Sequence, residues 1–267
     1  MSSFNPAQIR ALTFDVFGTV VDWRSSIIAE GQALSKAKAK QNSLPEINWP
    51  AFADAWRAGY VPAMLKATAL LADGSTPWAS IDVLHREILD RLLPGFGLEP
   101  LTEDERAHLN LVWHRLTPWP DSVRGLRLLK SSYVISTLSN GNVSLLVNMA
   151  KHARLPWDCV LSSELARQYK PHPAVYEMAA RLLGLEPAQV LMVAAHPGDL
   201  RAAHNAGMRT AYVRRPLEHG PNPHGTPPPD ALQDDAFDIV AADFVDLAKR
   251  LEKRQEKQTD ASPTIRG

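Results

Sequence analysis

From Pro120 onward the sequence alternates short apolar runs with amphipathic stretches, and this alternation constrains the fold more than any other feature. Tyr133–Leu138, Cys159–Leu161, Val190–Ala195, Thr210–Val213 and Phe237–Val240 read as strands. Ser122–Lys130, Val143–Ala153, Pro173–Leu183, Asp199–Ala206 and Val245–Glu256 read as helices before, between and after them. Strands joined through helices of roughly 8–12 residues do not pair as hairpins, so they predict a parallel sheet with helices on both faces. A further apolar run, Ile9–Phe14, reads as a buried strand ending at Asp15, with Gly18 stopping it soon after. Alone it would leave its backbone groups without partners, so it must join the same sheet.

Between that strand and Thr117 no convincing strand occurs. Behind Pro50, a good first-turn residue, Phe52, Trp56 and Tyr60 recur at four-residue spacing along one helix face. Ile81, Leu84, Ile88 and Leu92 make a second stripe, stopped by Pro94-Gly95. Leu109, Val112, Trp113 and Leu116 make a third, closed by Thr117-Pro118-Trp119-Pro120. The expected organisation is α/β. Residues 1–22 and 118–250 form a Rossmann-like parallel-sheet core, residues 23–117 an inserted helical cap, and residues 251–267 a flexible tail. Trp49, Trp56 and Trp113 are expected in the cap core. Pro216–Pro229 holds six prolines and two glycines, so it reads as a loop.

Composition narrows the function classes. Lys+Arg and Asp+Glu both number 29, giving a formal net charge of zero. Such a chain lacks the cationic field that nucleic acid or anionic membrane binding needs. With 45% hydrophobic and 22% charged residues, the composition is that of an ordinary globular protein. The single cysteine, Cys159, excludes an intrachain disulfide framework and any multi-cysteine metal site, and reads as a small buried hydrophobe. No apolar run approaches ~18 residues, so no membrane span is expected. Met1–Pro6 lacks a cationic segment followed by an apolar block, so a cytoplasmic location is expected. The apolar, Trp-rich cap either pairs two subunits as a homodimer or is buried within one chain.

In open parallel sheets, ligands bind beyond the carboxyl ends of the strands. That rim collects Asp15 and Thr19 after the first strand, Ser139 and Asn140 after the second, Lys170 beyond the third, and His196 and Asp199 after the fourth. Asp15 is the natural nucleophile, because a carboxylate can form an ester that water then hydrolyses. Alone, an Asp there serves equally as a turn cap. Lys170 could hold Asp15 ionised, or could be a solvated surface lysine. Arg57, one residue past the aromatic stripe, could bind an anionic substrate or a departing anion, or lie on an exposed helix face. His196 could act as a general base near neutrality. His204, His219 and His224 have no metal-binding spacing, and no metal or other cofactor is expected.

The string Phe14-Asp15-Val16-Phe17-Gly18-Thr19-Val20-Val21-Asp22 resembles the first motif of the haloacid dehalogenase superfamily. Ser139-Asn140-Gly141 is similar to its second motif, Lys170-Pro171 with Tyr176 to its third, and Val193–Asp199 to its fourth. All four occur in order at strand ends. Phosphatases of this superfamily carry a second Asp two residues after the nucleophile, where this chain has Phe17, and an acidic cluster in the fourth motif, where it has only Asp199. The missing acid and missing magnesium ligands argue for halide, which leaves as a stable anion, over phosphoryl transfer.

Within the superfamily the residues are similar to the metal-independent type II (S)-2-haloacid dehalogenases. The resemblance implies a small anionic 2-haloacid substrate and Asp15 as the attacking carboxylate. Thr19 would orient it, and Arg57 would receive the halide. Ser139 and Asn140 would bind substrate, assisted by backbone amides near Val16 and Phe17. Lys170 and Tyr176 would position Asp15 and substrate, and Asp199 would help activate the hydrolytic water. The sequence departs from the family pattern at Ala194, His196, Phe17 and Gly198, and His196 is expected to position the water in place of an amide.

Overall fold

The computed structural model describes residues 4–39, 44–72, 74, 77–221 and 237–260. Its central strand, β1 (Ala11–Phe14), is buried along its whole length. It pairs in parallel with β4 (Val134–Ser139) on one side and β6 (Val190–Ala194) on the other, so Phe14 lies opposite both Thr137 and Val193. With β5 (Cys159–Ser162), β7 (Arg209–Val213) and β8 (Ile239–Ala241) the sheet runs in the order β5-β4-β1-β6-β7-β8, every pair parallel.

Helices cover both faces. On one side α6 (Ser122–Lys130), α7 (Val143–Ala153) and α10 (Phe244–Asp260) pack a core that takes in Leu12, Phe14, Leu126, Leu145 and Phe244. On the other, α8 (Pro173–Leu182) and α9 (Pro197–Asn205) enclose Val175, Met192, Ala194 and Leu200. The alternation of faces along β1 follows from strand geometry, in which successive side chains point to opposite sides.

The cap comprises α1 (Trp23–Ala39), α2 (Trp49–Ala58), α3 (Tyr60–Ala72), α4 (Ile81–Leu92) and α5 (Glu103–Asn110). Asn48 and Ser80 cap α2 and α4, and Thr102 with Glu105 forms a reciprocal capping box on α5. Trp49, Phe52, Trp56 and Trp113 are buried as expected, and consecutive rings meet edge to face at 5.2–5.5 Å. The cap's apolar interior is continuous with the core cluster that includes Phe14.

Four differences from the sequence reading have local causes. Ile9 caps a 3-10 turn over Pro6–Gln8, so β1 starts two residues later than expected. The third cap stripe breaks from α5 into a 3-10 turn over Leu111–His114 while keeping Leu109, Val112, Trp113 and Leu116 buried. A second sheet occurs where none was expected: β2 (Val21–Asp22) pairs antiparallel with β3 (Thr117–Pro118), tying the two ends of the cap together. Helix α10 continues to Asp260, past the expected start of the tail at 251, whereas 261–267 lie outside the described residues. Cys159 is half-buried in β5 with a free thiol. No helix among the described residues is long and apolar enough to cross a membrane.

Helix α6 meets α10 at Gly125, where a Cβ would stand 2.3 Å from Phe244 Cβ and 2.8 Å from its carbonyl carbon. Backbone on one side leaves nothing soft to yield. Gly125→Ala should therefore lower stability by about 1–3 kcal/mol, read as a lower urea midpoint with an unchanged slope.

Candidate active site

Each strand of the sheet centre ends by delivering one functional group to the same rim. Asp15 follows β1, with its backbone N–H still bonded to Val193 O at 3.0 Å. The chain then turns through Gly18, which has φ +81°, a left-handed conformation suited to glycine. That turn brings Thr19 back over Asp15, and its hydroxyl donates to Asp15 Oδ2 at 2.7 Å. Thr19 Oγ1 also accepts from Ala195 N–H at 2.9 Å, fixing its proton toward the carboxylate.

Lys170 reaches the rim from the segment after β5, held there because Asn140 Oδ1 accepts its backbone N–H at 2.7 Å. Its ammonium, almost fully buried, donates to Asp15 Oδ1 at 3.0 Å and to Asp199 Oδ2. Pro197 starts α9, since its fixed φ suits a first helical position, and Asp199 sits in the first turn where the helix dipole favours a negative charge. Tyr176, on α8, donates to Asp199 Oδ1 at 2.6 Å. Burial pushes the Tyr176 hydroxyl far up and Asp199 adds to this, so it remains a donor.

The charges are mutually dependent. Burial by itself would raise the Asp15 carboxyl, but Lys170, then His196 and Thr19, outweigh it and hold Asp15 far below the ordinary carboxylate range. Burial likewise opposes the Lys170 charge, and Asp15 and Asp199 overcome it, pushing Lys170 up. For Asp199 burial dominates, with the Asp15 charge adding, so its carboxyl is raised. Asp15 is thus the ionised group and Asp199 the more basic one.

His196 departs from the simple expectation of a neutral base. Nδ1 lies 2.8 Å from Asp15 Oδ2, and Nε2 lies 3.0 and 3.1 Å from the two oxygens of Glu218. Burial would lower its pKa, but the hydrogen bonds to Asp15 and Glu218 push it up to about 10. Both ring nitrogens are engaged and the ring is an imidazolium at neutral pH.

Other expected residues take varied positions. Arg57 comes down from α2, its guanidinium 4.5 Å above the Tyr60 ring and 5.7 Å from Trp23, with Nη1 buried and without a hydrogen-bond partner among the described residues. Tyr60 lies within electrostatic reach of Asn140, Asp15 and Lys170, which brings Arg57 beside the rim. Ser139 is fully buried, and its Oγ accepts the Gly141 N–H at 3.2 Å. Val16 and Phe17 are buried too, and the Phe17 ring meets Trp113 edge-on at 5.7 Å, joining core to cap. His204 is exposed on α9, His219 stacks edgewise on Trp23, and His224 lies outside the described residues. Among the described residues no group of three or more His, Cys, Asp or Glu is placed to hold a metal ion.

Glu218 escaped the sequence reading. It sits in the turn after β7, inside the proline-rich stretch read only as loop, and is buried. Trp23 Nε1–H donates to it at 3.2 Å, and a Cβ on Gly18 would come within 2.1 Å of its Oε1. The strand-end rule, applied to β7 as it was to β1, β4 and β6, would have singled it out.

The sequence matches the haloacid dehalogenase-like hydrolase family over residues 9–207. The chain belongs to that family. It is 31% identical over 210 residues to the (S)-2-haloacid dehalogenase of Xanthobacter autotrophicus, covering 78% of this chain and 76% of that protein. Among solved structures of the family, a defluorinating L-2-haloacid dehalogenase shares 45% identity and superposes with a TM-score of 0.81, covering 91% of this chain and 95% of that one. The Xanthobacter autotrophicus L-2-haloacid dehalogenase with chloropropionic acid covalently bound gives a TM-score of 0.71 at 27% identity, covering 91% and 98%.

The raised His196 value yields a stability prediction. In the unfolded chain the imidazole deprotonates near 6.5, whereas in the folded protein it does so near about 10. The stabilisation is therefore full below about pH 6.5 and is lost as pH rises toward 10. His196→Gln should flatten the decline in Tm across that window. The ring is one-third exposed, so solvent screening keeps the change modest.

Proposed function

We propose that this protein hydrolyses the carbon–halogen bond of short 2-haloacids, haloacetates or (S)-2-haloalkanoates, through an ester on Asp15, releasing halide and the 2-hydroxy acid. The observation that carries the reading is a buried, ionised Asp15 clamped by Lys170, with Arg57 brought over the neighbouring Tyr60 ring, its Nη1 without a hydrogen-bond partner among the described residues. An Asp15 oxygen displaces halide with inversion at the substrate carbon, and the halide departs with the bonding electron pair toward Arg57. Asn140 and Ser139 bind the substrate, assisted by backbone amides near Val16 and Phe17. Asp199, oriented by Lys170 and Tyr176, takes a proton from the water that attacks the ester.

The phosphatase reading is disfavoured by the same residues. Phe17 supplies no acid for a phosphoester leaving group. The Lys170 ammonium bonds both Asp15 and Asp199, so it stands between the two carboxylates a magnesium ion would need. We also read the protein as cytoplasmic and as a homodimer through the cap, where Val61 and Leu65 on α3 are exposed.

A haloacid panel that includes fluoroacetate, chloroacetate and (S)-2-chloropropionate, assayed for free halide, tests the activity. Release should be unchanged by EDTA, and multiple turnovers in heavy-oxygen water should leave the label in Asp15. Asp15→Asn should lower halide release by at least ~10³-fold, as expected for loss of a nucleophile. Arg57→Met should lower it by roughly 10²-fold through loss of the charge that meets the departing anion. An unlabelled Asp15 after turnover would rule out the ester.

A further inference from the structure

Asp15 presents its two carboxylate oxygens unequally. Oδ2 is met by Thr19 Oγ1 at 2.7 Å and His196 Nδ1 at 2.8 Å, whereas among the described residues Oδ1 accepts only from Lys170 Nζ at 3.0 Å. A carboxylate oxygen offers two lone pairs, so Oδ2 is saturated and Oδ1 keeps one for an incoming carbon. Across the imidazole, Nε2 faces both oxygens of Glu218. A ring with one nitrogen on each of two carboxylates donates from both only as the imidazolium. Glu218 is itself fixed by the indole N–H of Trp23 and by its seat over Gly18.

We propose that Glu218 is a positioning residue for ester hydrolysis, holding His196 as an imidazolium whose Nδ1–H joins the Thr19 hydroxyl in an oxyanion hole for Asp15 Oδ2. The proposal rests on the aspartyl-ester reading above and assigns its two half-reactions to different oxygens. In the first, Oδ1 bonds to the substrate carbon and the halide leaves with the carbon–halogen electron pair, making Oδ2 the ester carbonyl oxygen. In the second, the water oxygen bonds to Asp15 Cγ, the carbonyl π pair moves onto Oδ2, and one water proton passes to Asp199. Collapse restores the Cγ–Oδ2 double bond and breaks Cγ–Oδ1. The departing alkoxide takes the proton from Asp199 to become the 2-hydroxy acid, and the second water proton leaves the regenerated carboxyl group for solvent.

Donors at 2.7 and 2.8 Å lie in the range that stabilises a developing oxyanion. Glu218 matters most after the first step, because ester formation removes the Asp15 charge and leaves Glu218 as the anion facing the imidazolium. The surrounding charges are Lys170 and Asp199 against Asp15, and Arg57 and His219 against Glu218. A general-base role would require a free ring nitrogen, and both are occupied.

The test is Glu218→Gln, which keeps shape and the Trp23 contact but removes the charge, followed by rapid quench with chloroacetate. A burst of about one halide per chain should persist, then give way to steady turnover at least roughly tenfold slower, with esterified protein accumulating by intact mass. Hydrolysis should fall with rising pH as His196 loses its proton, and in Glu218→Gln that fall should move down by about one pH unit or more. His196→Asn, which retains a neutral amide donor, should abolish this pH dependence, and adding Glu218→Gln to it should cost nothing further. The proposal is overturned if Glu218→Gln hydrolyses its ester at the unaltered rate with the unaltered pH profile. Hydrolysis that speeds up as His196 deprotonates would make the ring a base and overturn it equally. So would an alkaline fall that persists in His196→Asn, a result that does not depend on Glu218→Gln folding. Loss of the burst in a Glu218→Gln protein with native near-UV dichroism would place Glu218 in the first half-reaction instead. Absence of halide release by the unaltered protein from every 2-haloacid would sink the underlying reading, and is read separately.

Discussion

The site is organised around one ammonium group with almost no access to water. Lys170 carries its charge into a buried position only because Asp15 and Asp199 both bond to it, and Asp15 stays ionised there only because Lys170 does so. Removing one member of such a buried cluster strands the others, so the groups are retained together. The arrangement also divides labour between two chemically identical side chains. Asp15, with three hydrogen bonds from Lys170, Thr19 and His196 shared across its oxygens, is held as the anion, and Asp199 is raised. A firmly ionised carboxylate and a more basic one are thus produced from the same residue type by environment alone.

The cap supplies what the sheet cannot. The rim carboxylates and Lys170 belong to strand ends and their connections, and the Lys170 ammonium is already bonded to two of those carboxylates. Arg57 comes instead from α2, the cap helix that packs Phe52 and Trp56 into an aromatic interior. The guanidinium lies over Tyr60 and beside Trp23, so it is positioned by aromatic faces that leave Nη1 without a hydrogen-bond acceptor among the described residues.

The sheet and most of the rim were legible because strand-helix alternation fixes where strands end, and chemistry sits at those ends. Helices α6 and α7 have the bounds that periodicity gives, Ser122–Lys130 and Val143–Ala153. What periodicity cannot encode is a two-residue ladder such as β2 with β3, or a polar residue whose role depends on a distant partner. Glu218 acts on His196 and Trp23 across 22 and 195 residues, and its own surroundings are proline and glycine. Likewise His196 reads as a base in isolation and becomes a cation only once two carboxylates flank it.

The small ladder joining Val21–Asp22 to Thr117–Pro118 carries a consequence of its own. The chain leaves the sheet and returns to it at neighbouring points, so the ladder holds the two ends of the inserted segment together. Closure entropy then falls on two short strands and grows only slowly with the length in between. The inserted segment can accordingly change in length at little cost in closure while strand order and rim stay as they are, provided the Phe17–Trp113 contact and the place of Arg57 over Tyr60 are kept.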